Sequence, residues 1–132
     1  MVDTGGEVST QEFDRSKARA VALANEDKLK IALSLLRKGF NLGDSLAVAQ
    51  AATISAAVNQ AVIFKPVFED LVLGTKDFGG LGVNCAHTGT VLGVMFDPLT
   101  TEVEMLKERV KALIGRMPIM GVYPLIAGGR YF

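Results

Sequence analysis

The chain has almost no cysteine. Among its 132 residues there is one, Cys85. A single thiol excludes an intrachain disulfide and any zinc site built from several cysteines. Net charge is missing too, with 14 basic residues against 14 acidic ones. Without a field of one sign, nothing draws nucleic acid or an anionic membrane from a distance, and neither partner is expected. The basic clusters Arg15/Lys17/Arg19 and Arg37/Lys38 read as solvated helix faces. No basic segment followed by an apolar run opens the chain, so no secretory signal is visible and a cytoplasmic location is the default. Residues 46–64 are apolar, but Gln50, Thr53, Ser55, Asn59 and Gln60 interrupt them. That stretch is too rich in alanine to hold a bilayer and reads as a buried helix. Internal repeats, low-complexity runs and a GxxxxGK[ST] phosphate loop are absent as well.

Apolar residues make up 49% of the chain, enough for the core of a single domain over 1–132. The most informative stretch is residues 81–98, LGVNCAHTGTVLGVMFDP. Leu81, Val83 and Cys85 alternate with Gly82, Asn84 and Ala86, a strand period. Residues 91–96 are a near-continuous apolar run of strand length. Between them lies Ala86-His87-Thr88-Gly89-Thr90. A hairpin tipped with hydroxyls, a glycine and a histidine is built for a ligand rather than for a core. Small residues let backbone N–H groups approach an anion, and Gly89 is able to take positive φ.

The remaining elements follow from spacing. Residues 2–8 read as a strand, bulged or closely approached at Gly5-Gly6. Ser9 and Glu12 have capping-box spacing, and residues 16–23 read as an alanine-rich helix. Asn25 is expected to cap a second helix with a stripe of Leu29, Ala32, Leu33, Leu36 and Phe40, stopped by Gly39 and Asn41. Gly43 or Asp44 opens a third helix, lined with alanine and suited to close packing. A fourth starts at Lys65-Pro66 with Pro66 in first position and ends at Gly74. Thr101 is expected to cap a last helix with a stripe of Val103, Leu106, Val110 and Leu113/Ile114, and Pro118 ends that region. Residues 121–127 read as a final strand, at an edge or bulged because of Pro124. The order β, several α, β, β, α, β is the ferredoxin-like split β-α-β plan with extra helices in the first crossover. The expected fold is α+β, with a four-stranded antiparallel sheet and the last helix against it.

Several polar residues admit two readings. Ser55 and Asn59 share a helix face. Either Ser55 back-bonds to its own helix and Asn59 caps a neighbouring loop, or both look toward residues 87–90. His87 is either a turn residue bonded to a carbonyl or a donor to ligand oxygens. Cys85 and His87 alternate on one side of a strand, but no third orienting group completes a nucleophile pair, and a cysteine in an apolar strand behaves as a small hydrophobe. No catalytic residue is assigned. His87 with Asp77 or Asp97 has no metal-ligand spacing, so no metal site is expected. Asp3 and Thr4 are either a second ligand-facing spot or a bulged strand end. Met95, Met105, Met117 and Met120 read as core filler.

Residues 79–97 resemble the third motif of the galactokinase, homoserine kinase, mevalonate kinase and phosphomevalonate kinase superfamily. The usual loop there is richer in glycine. The form here, AHTGTVLG at 86–93, is similar to the AHSGT type of the L-threonine kinases linked to cobalamin assembly and propanediol use. The opening VDTGGEV with Phe13-Asp14-Arg15, the segment 51–56 with Asn59-Gln60, and Lys65-Pro66 resemble the same branch.

The resemblance implies the C-terminal, substrate-side domain of a kinase that moves the ATP γ-phosphate to a hydroxyl, with L-threonine as the favoured acceptor. ATP and Mg2+ would serve only the full-length enzyme, with none expected on this chain. Such kinases hold ATP with an N-terminal PxxxGLGSS-type loop, which this sequence lacks. The expectation is therefore that the N-terminal domain is a partner, that the chain alone is inactive, and that its exposed former interface favours a homodimer. His87, Thr88, Gly89 and Thr90 would form the substrate or phosphate loop, with Ser55 and Asn59 behind it. The alternative is a stand-alone ferredoxin-like ligand-binding or dimerisation module.

Overall fold

The computed structural model describes residues 1–6 and 13–125. Among these residues, three strands form one antiparallel sheet beside five helices, an α+β fold. The strands β1 (Val2–Asp3), β2 (Gly82–Cys85) and β3 (Val91–Met95) lie in the order β1-β3-β2. Leu92 pairs with Val2 on one side and Cys85 on the other, and it is fully buried. The hairpin expected at 81–96 is present. Opposite Asn84 sits Gly93, where a Cβ would strike the Asn84 side chain.

The strand expected at 2–8 is cut to two residues. Gly5 and Gly6 adopt φ of 76° and 87°, a left-handed conformation that cannot continue a strand. Val8 and the Ser9–Glu12 capping box lie outside the described residues. The fourth strand is also corrected. Gly121 to Leu125 form no strand, and residues 126 and 127 are outside the described set. Residues 118–120 run beside β1 instead. Ile119 bridges Val2, the Asp3 N–H donates to Pro118 O at 3.1 Å, and the Met120 N–H donates to Met1 O at 2.9 Å. Ile119 packs against the buried cluster around Val2, whereas Val122, Tyr123 and Leu125 are exposed, so the apolar partner sets the register.

Helix α1 (Arg15–Ala24) is capped by Asp14, whose carboxylate accepts from the Lys17 N–H at 2.8 Å. Helix α2 (Glu26–Leu42) follows directly. Asn25 precedes it without a side-chain cap; its amide bonds back to Val21 O. Gly39 and Asn41 do not stop α2. Gly43 does, at φ 65°. Gly39 is buried because a Cβ there would meet Val48 Cγ2 at 2.5 Å, so it is the point of closest approach to the next helix. The expected stripe is rotated accordingly. Ala32 and Gly39 are buried, while Leu33 and Phe40 face solvent.

Helix α3 (Ser45–Asn59) starts at Asp44, which accepts from the Ala47 N–H at 3.0 Å. Ala47, Ala49, Ala51 and Ala56 are buried along it. It lies between α2 and β2, the outer strand. The Thr53 hydroxyl donates to Ala49 O at 2.8 Å and accepts the Val83 N–H at 2.9 Å, tying helix to strand. A Cβ at Gly82 would stand 2.6 Å from Ala49 O, so glycine permits that contact.

Helix α4 (Phe68–Asp77) begins two residues later than expected, because Lys65 to Phe68 form a turn with the Phe68 N–H on Lys65 O. Gly74 is interior to it. A Cβ there would meet Leu113 at 2.6 Å, so this glycine serves packing rather than termination. Helix α5 (Val103–Ile114) is capped by Glu102, not Thr101. Thr101 is buried and donates to Gly79 O at 2.8 Å. Gly115, at φ 61°, follows α5 before Pro118 is reached. The expected stripe of Leu106, Val110 and Ile114 joins Val2, Phe68, Leu71, Val83 and Leu92 in one core. Each such aliphatic side chain contributes about 1.5–3 kcal/mol on burial. No helix of the described residues is long and apolar enough to cross a membrane.

Candidate functional site at the hairpin tip

The β2–β3 hairpin projects residues 87–90 beyond the core. Its neck closes through the Ala86 N–H on Val91 O at 2.9 Å. His87 and Thr88 are exposed, and Gly89 and Thr90 are half-buried. Among the described residues, none accepts a hydrogen bond from the backbone N–H groups of residues 87–90. Gly89 does not take positive φ. A Cβ there would lie 3.3 Å from the Ala86 Cβ, so its smallness relieves crowding across the turn.

Two sets of groups hold this tip. From α3, Ser55 Oγ lies 3.1 Å from His87 Nε2, and Asn59 Nδ2 donates to His87 O at 3.2 Å. Of the two readings open for this pair, the structure has the one in which both face the loop. From β1, the Thr90 hydroxyl donates to Asp3 Oδ1 at 2.9 Å, and Thr4 Oγ1 donates to Thr90 O at 2.6 Å. Asp3 also accepts from the Gly5 N–H at 3.0 Å. The Gly5 N–H chiefly, and the Thr90 hydroxyl after it, hold the Asp3 carboxyl below its usual range. The Thr90 hydroxyl proton is therefore committed to Asp3, and Thr88 has the freer hydroxyl.

Beneath the loop lies a residue that the sequence reading placed only as a helix start. Lys65 is 1% exposed. Its ammonium donates to Asn59 Oδ1 at 3.1 Å and to Ile63 O at 3.3 Å. The Cys85 thiol approaches the same Asn59 oxygen at 3.5 Å. Burial pushes the Lys65 pKa down and the Cys85 pKa up, the second opposed by the nearby ammonium. A thiol held protonated is no nucleophile. The Cys85–His87 pair is not formed, since the two side chains go to Asn59 and Ser55 respectively. A signal for Lys65 existed in the sequence: one charge inside the apolar run AVIFKPVF at 61–68.

Asp97 is spent on a turn, accepting from the Leu99 N–H at 2.9 Å. Among the described residues, no three His, Cys, Asp or Glu side chains gather to hold a metal ion. Chemically, the tip can present N–H groups and a hydroxyl to an anion.

Comparison with known proteins gives two informative matches. The chain is 28% identical over 122 residues to an L-threonine kinase of Salmonella typhimurium, covering 91% of this chain and 41% of that protein. It is 33% identical over 82 residues to an L-threonine kinase of Citrobacter freundii, covering 61% of this chain and 28% of that protein. The chain thus spans less than half the length of the curated relatives it matches. No family model matches the chain. No solved structure matches it.

Proposed function

We propose that the chain is the C-terminal, substrate-side domain of an ATP-dependent small-molecule kinase of the galactokinase–homoserine kinase–mevalonate kinase superfamily, with L-threonine as acceptor. One observation carries the reading. The N–H groups of residues 87–90, which meet no acceptor among the described residues, sit on a tip braced from both α3 and β1, within a chain similar to two L-threonine kinases. Phosphoryl transfer is chiefly positioning and stabilisation of charge on phosphate oxygens, which such donors supply. In this reading the N–H groups and the Thr88 hydroxyl bind phosphate or the amino acid's carboxylate. Ser55 fixes the His87 ring through its Nε2. The order of residues 118–120, β1, β3 and β2 supports the split β-α-β plan.

ATP and Mg2+ would be held by an N-terminal domain, since no phosphate-loop motif occurs in this sequence. Mg2+ neutralises charge on the transferring phosphoryl group when bound. Exposed Leu33, Phe40, Leu42 and Phe64 support a partner surface on the helical side, for that domain or for a second copy. Cytoplasmic placement follows from the same reading.

The test is co-expression with the ATP-binding half of the Salmonella enzyme, followed by assay of threonine-dependent ADP release. The expected result is O-phosphothreonine from the pair and none from the chain alone. A folded pair that phosphorylates no hydroxy amino acid sinks the kinase reading. Binding of an amino acid by the chain alone would then favour a stand-alone ligand-binding module.

A further inference from the structure

The tip is exposed, but the charge beneath it is not. Lys65 has the burial of a core leucine, which a lysine seldom reaches without an opposite charge. Among the described residues no carboxylate pairs with it. Its partners are the neutral oxygens of Asn59 and Ile63. An ammonium is a donor only, and so is the adjacent Cys85 thiol when it faces a carbonyl oxygen. Between them they leave the Asn59 amide one permitted orientation. Its Oδ1 faces inward to Lys65 and Cys85, and its Nδ2 faces outward to the His87 carbonyl. Without the cation, the amide could turn over and set its oxygen against the His87 oxygen.

We propose that Lys65 is a positioning residue for the loop at 87–90: by donating to Asn59 Oδ1 it orients the amide that tethers the His87 carbonyl, so that the loop's N–H groups stay available to a ligand. This rests on the kinase reading for the identity of that ligand, but not for the tether itself. Desolvating the cation has a use in this arrangement. A charge-assisted hydrogen bond in a dry site fixes the amide more firmly than a neutral donor would.

Asn59→Asp separates this role from simple packing. An aspartate sets a carboxylate directly on the Lys65 ammonium, so the melting temperature is expected to hold or rise. The same carboxylate sets an acceptor against His87 O and breaks the tether. The readout on the 132-residue chain is hydrogen exchange of the Ala86 N–H at the loop neck, with 15N relaxation at residues 88–90. Exchange is expected to quicken at least tenfold while the fold is kept. Lys65→Met, close in volume but unable to donate, is expected to release the loop in the same way. Lys65→Arg, which still donates, is expected to protect it.

An Asn59→Asp protein that is folded with Ala86 exchange within twofold of the parent overturns the proposal. So does a folded Lys65→Met protein with an unchanged loop. Neither measurement needs turnover. Loop release together with an inactive parental kinase pair would remove the threonine reading and leave the tether standing. In an active pair, Asn59→Asp is expected to cut kcat tenfold or more with little change in KM for ATP.

Discussion

The two anchorages of the hairpin tip are built from different chemistry. On the α3 side the chain of groups is rooted in the core: buried Lys65 holds buried Asn59, whose amide reaches out in a half-buried bond to the His87 carbonyl. On the β1 side it is half-buried throughout: Thr90 to the Asp3 carboxylate, with Thr4 on the Thr90 carbonyl. A buried tether is costly to leave half-made, because a stranded donor has no water to turn to. A half-buried tether to a carboxylate exchanges more readily with water and weakens in acid, when the carboxylate takes up a proton. The loop is thus clamped firmly beside His87 and adjustably beside Thr90.

The largest effect should come from breaking the buried side. Asn59→Leu removes the oxygen that Lys65 and Cys85 share, and a lost hydrogen bond to a charged group costs about 2–3 kcal/mol. Urea unfolding should show it as a lower midpoint with unchanged slope. A loss under about 0.5 kcal/mol would mean that water reaches Lys65 and that the two anchorages are alike.

Next is the tie that holds α3 itself in place. Thr53→Val keeps the shape but strands the Val83 N–H, whose residue is fully buried. The expected cost is about 1–2 kcal/mol, with faster exchange along β2. If β2 exchange is unchanged, α3 is positioned by alanine packing alone.

The alkaline pH profile sharpens the contrast without mutation. Lys65 titrates in the fold below its ordinary 10.5, so the unfolded chain binds more protons between the two values and stability rises with pH there. Cys85 titrates above its ordinary 9.0, so the unfolded chain loses its proton first and stability falls above 9.0. The net expectation is a rise toward 10.5 that Cys85 opposes above 9.0. Cys85→Ala should let it continue. A flat profile in both proteins would place Lys65 in contact with solvent.

The smallest effect belongs to the β1 side. The Asp3 carboxyl is held below its ordinary 3.8, so its contribution is present above that value and is lost as pH falls through the lower, folded one. Acid should free the Thr90 hydroxyl and the Gly5 N–H, seen as faster Gly5 exchange, with Ala86 at the neck little affected. Asp3→Asn should remove the acid dependence. An equal response at Ala86 would show the two tethers to be coupled.

Much of this was legible along the chain. The hairpin was marked by alternation and by its polar tip. The alanine-rich α3 and the Leu106–Val110–Ile114 stripe of α5 follow from period alone. Ser55 and Asn59 were on one helix face by spacing, though spacing left open what they faced. The errors share a cause. Gly39 and Gly74 were read as stops because glycine weakens a helix locally, yet both lie where another element comes too close for a Cβ. Phe40 was assigned to the core by period, but the contact line of α2 runs through Gly39 and Ala32 and leaves it outside. The last strand slipped from 121–127 to the short stretch at 118–120 because its partner, Val2, was not visible in the local pattern.

The sequence by itself determined the helices, the hairpin and the small, polar character of the tip, since periodicity and turn chemistry act between residues close in the chain. Tertiary structure alone decided that Lys65 would be buried with no carboxylate on it among the described residues, that Asn59 would join it to His87, and that Asp3 would reach Thr90 across 87 positions. Those choices depend on which distant groups share a dry space, and a hydrogen bond has a fixed direction only once that space has closed around it.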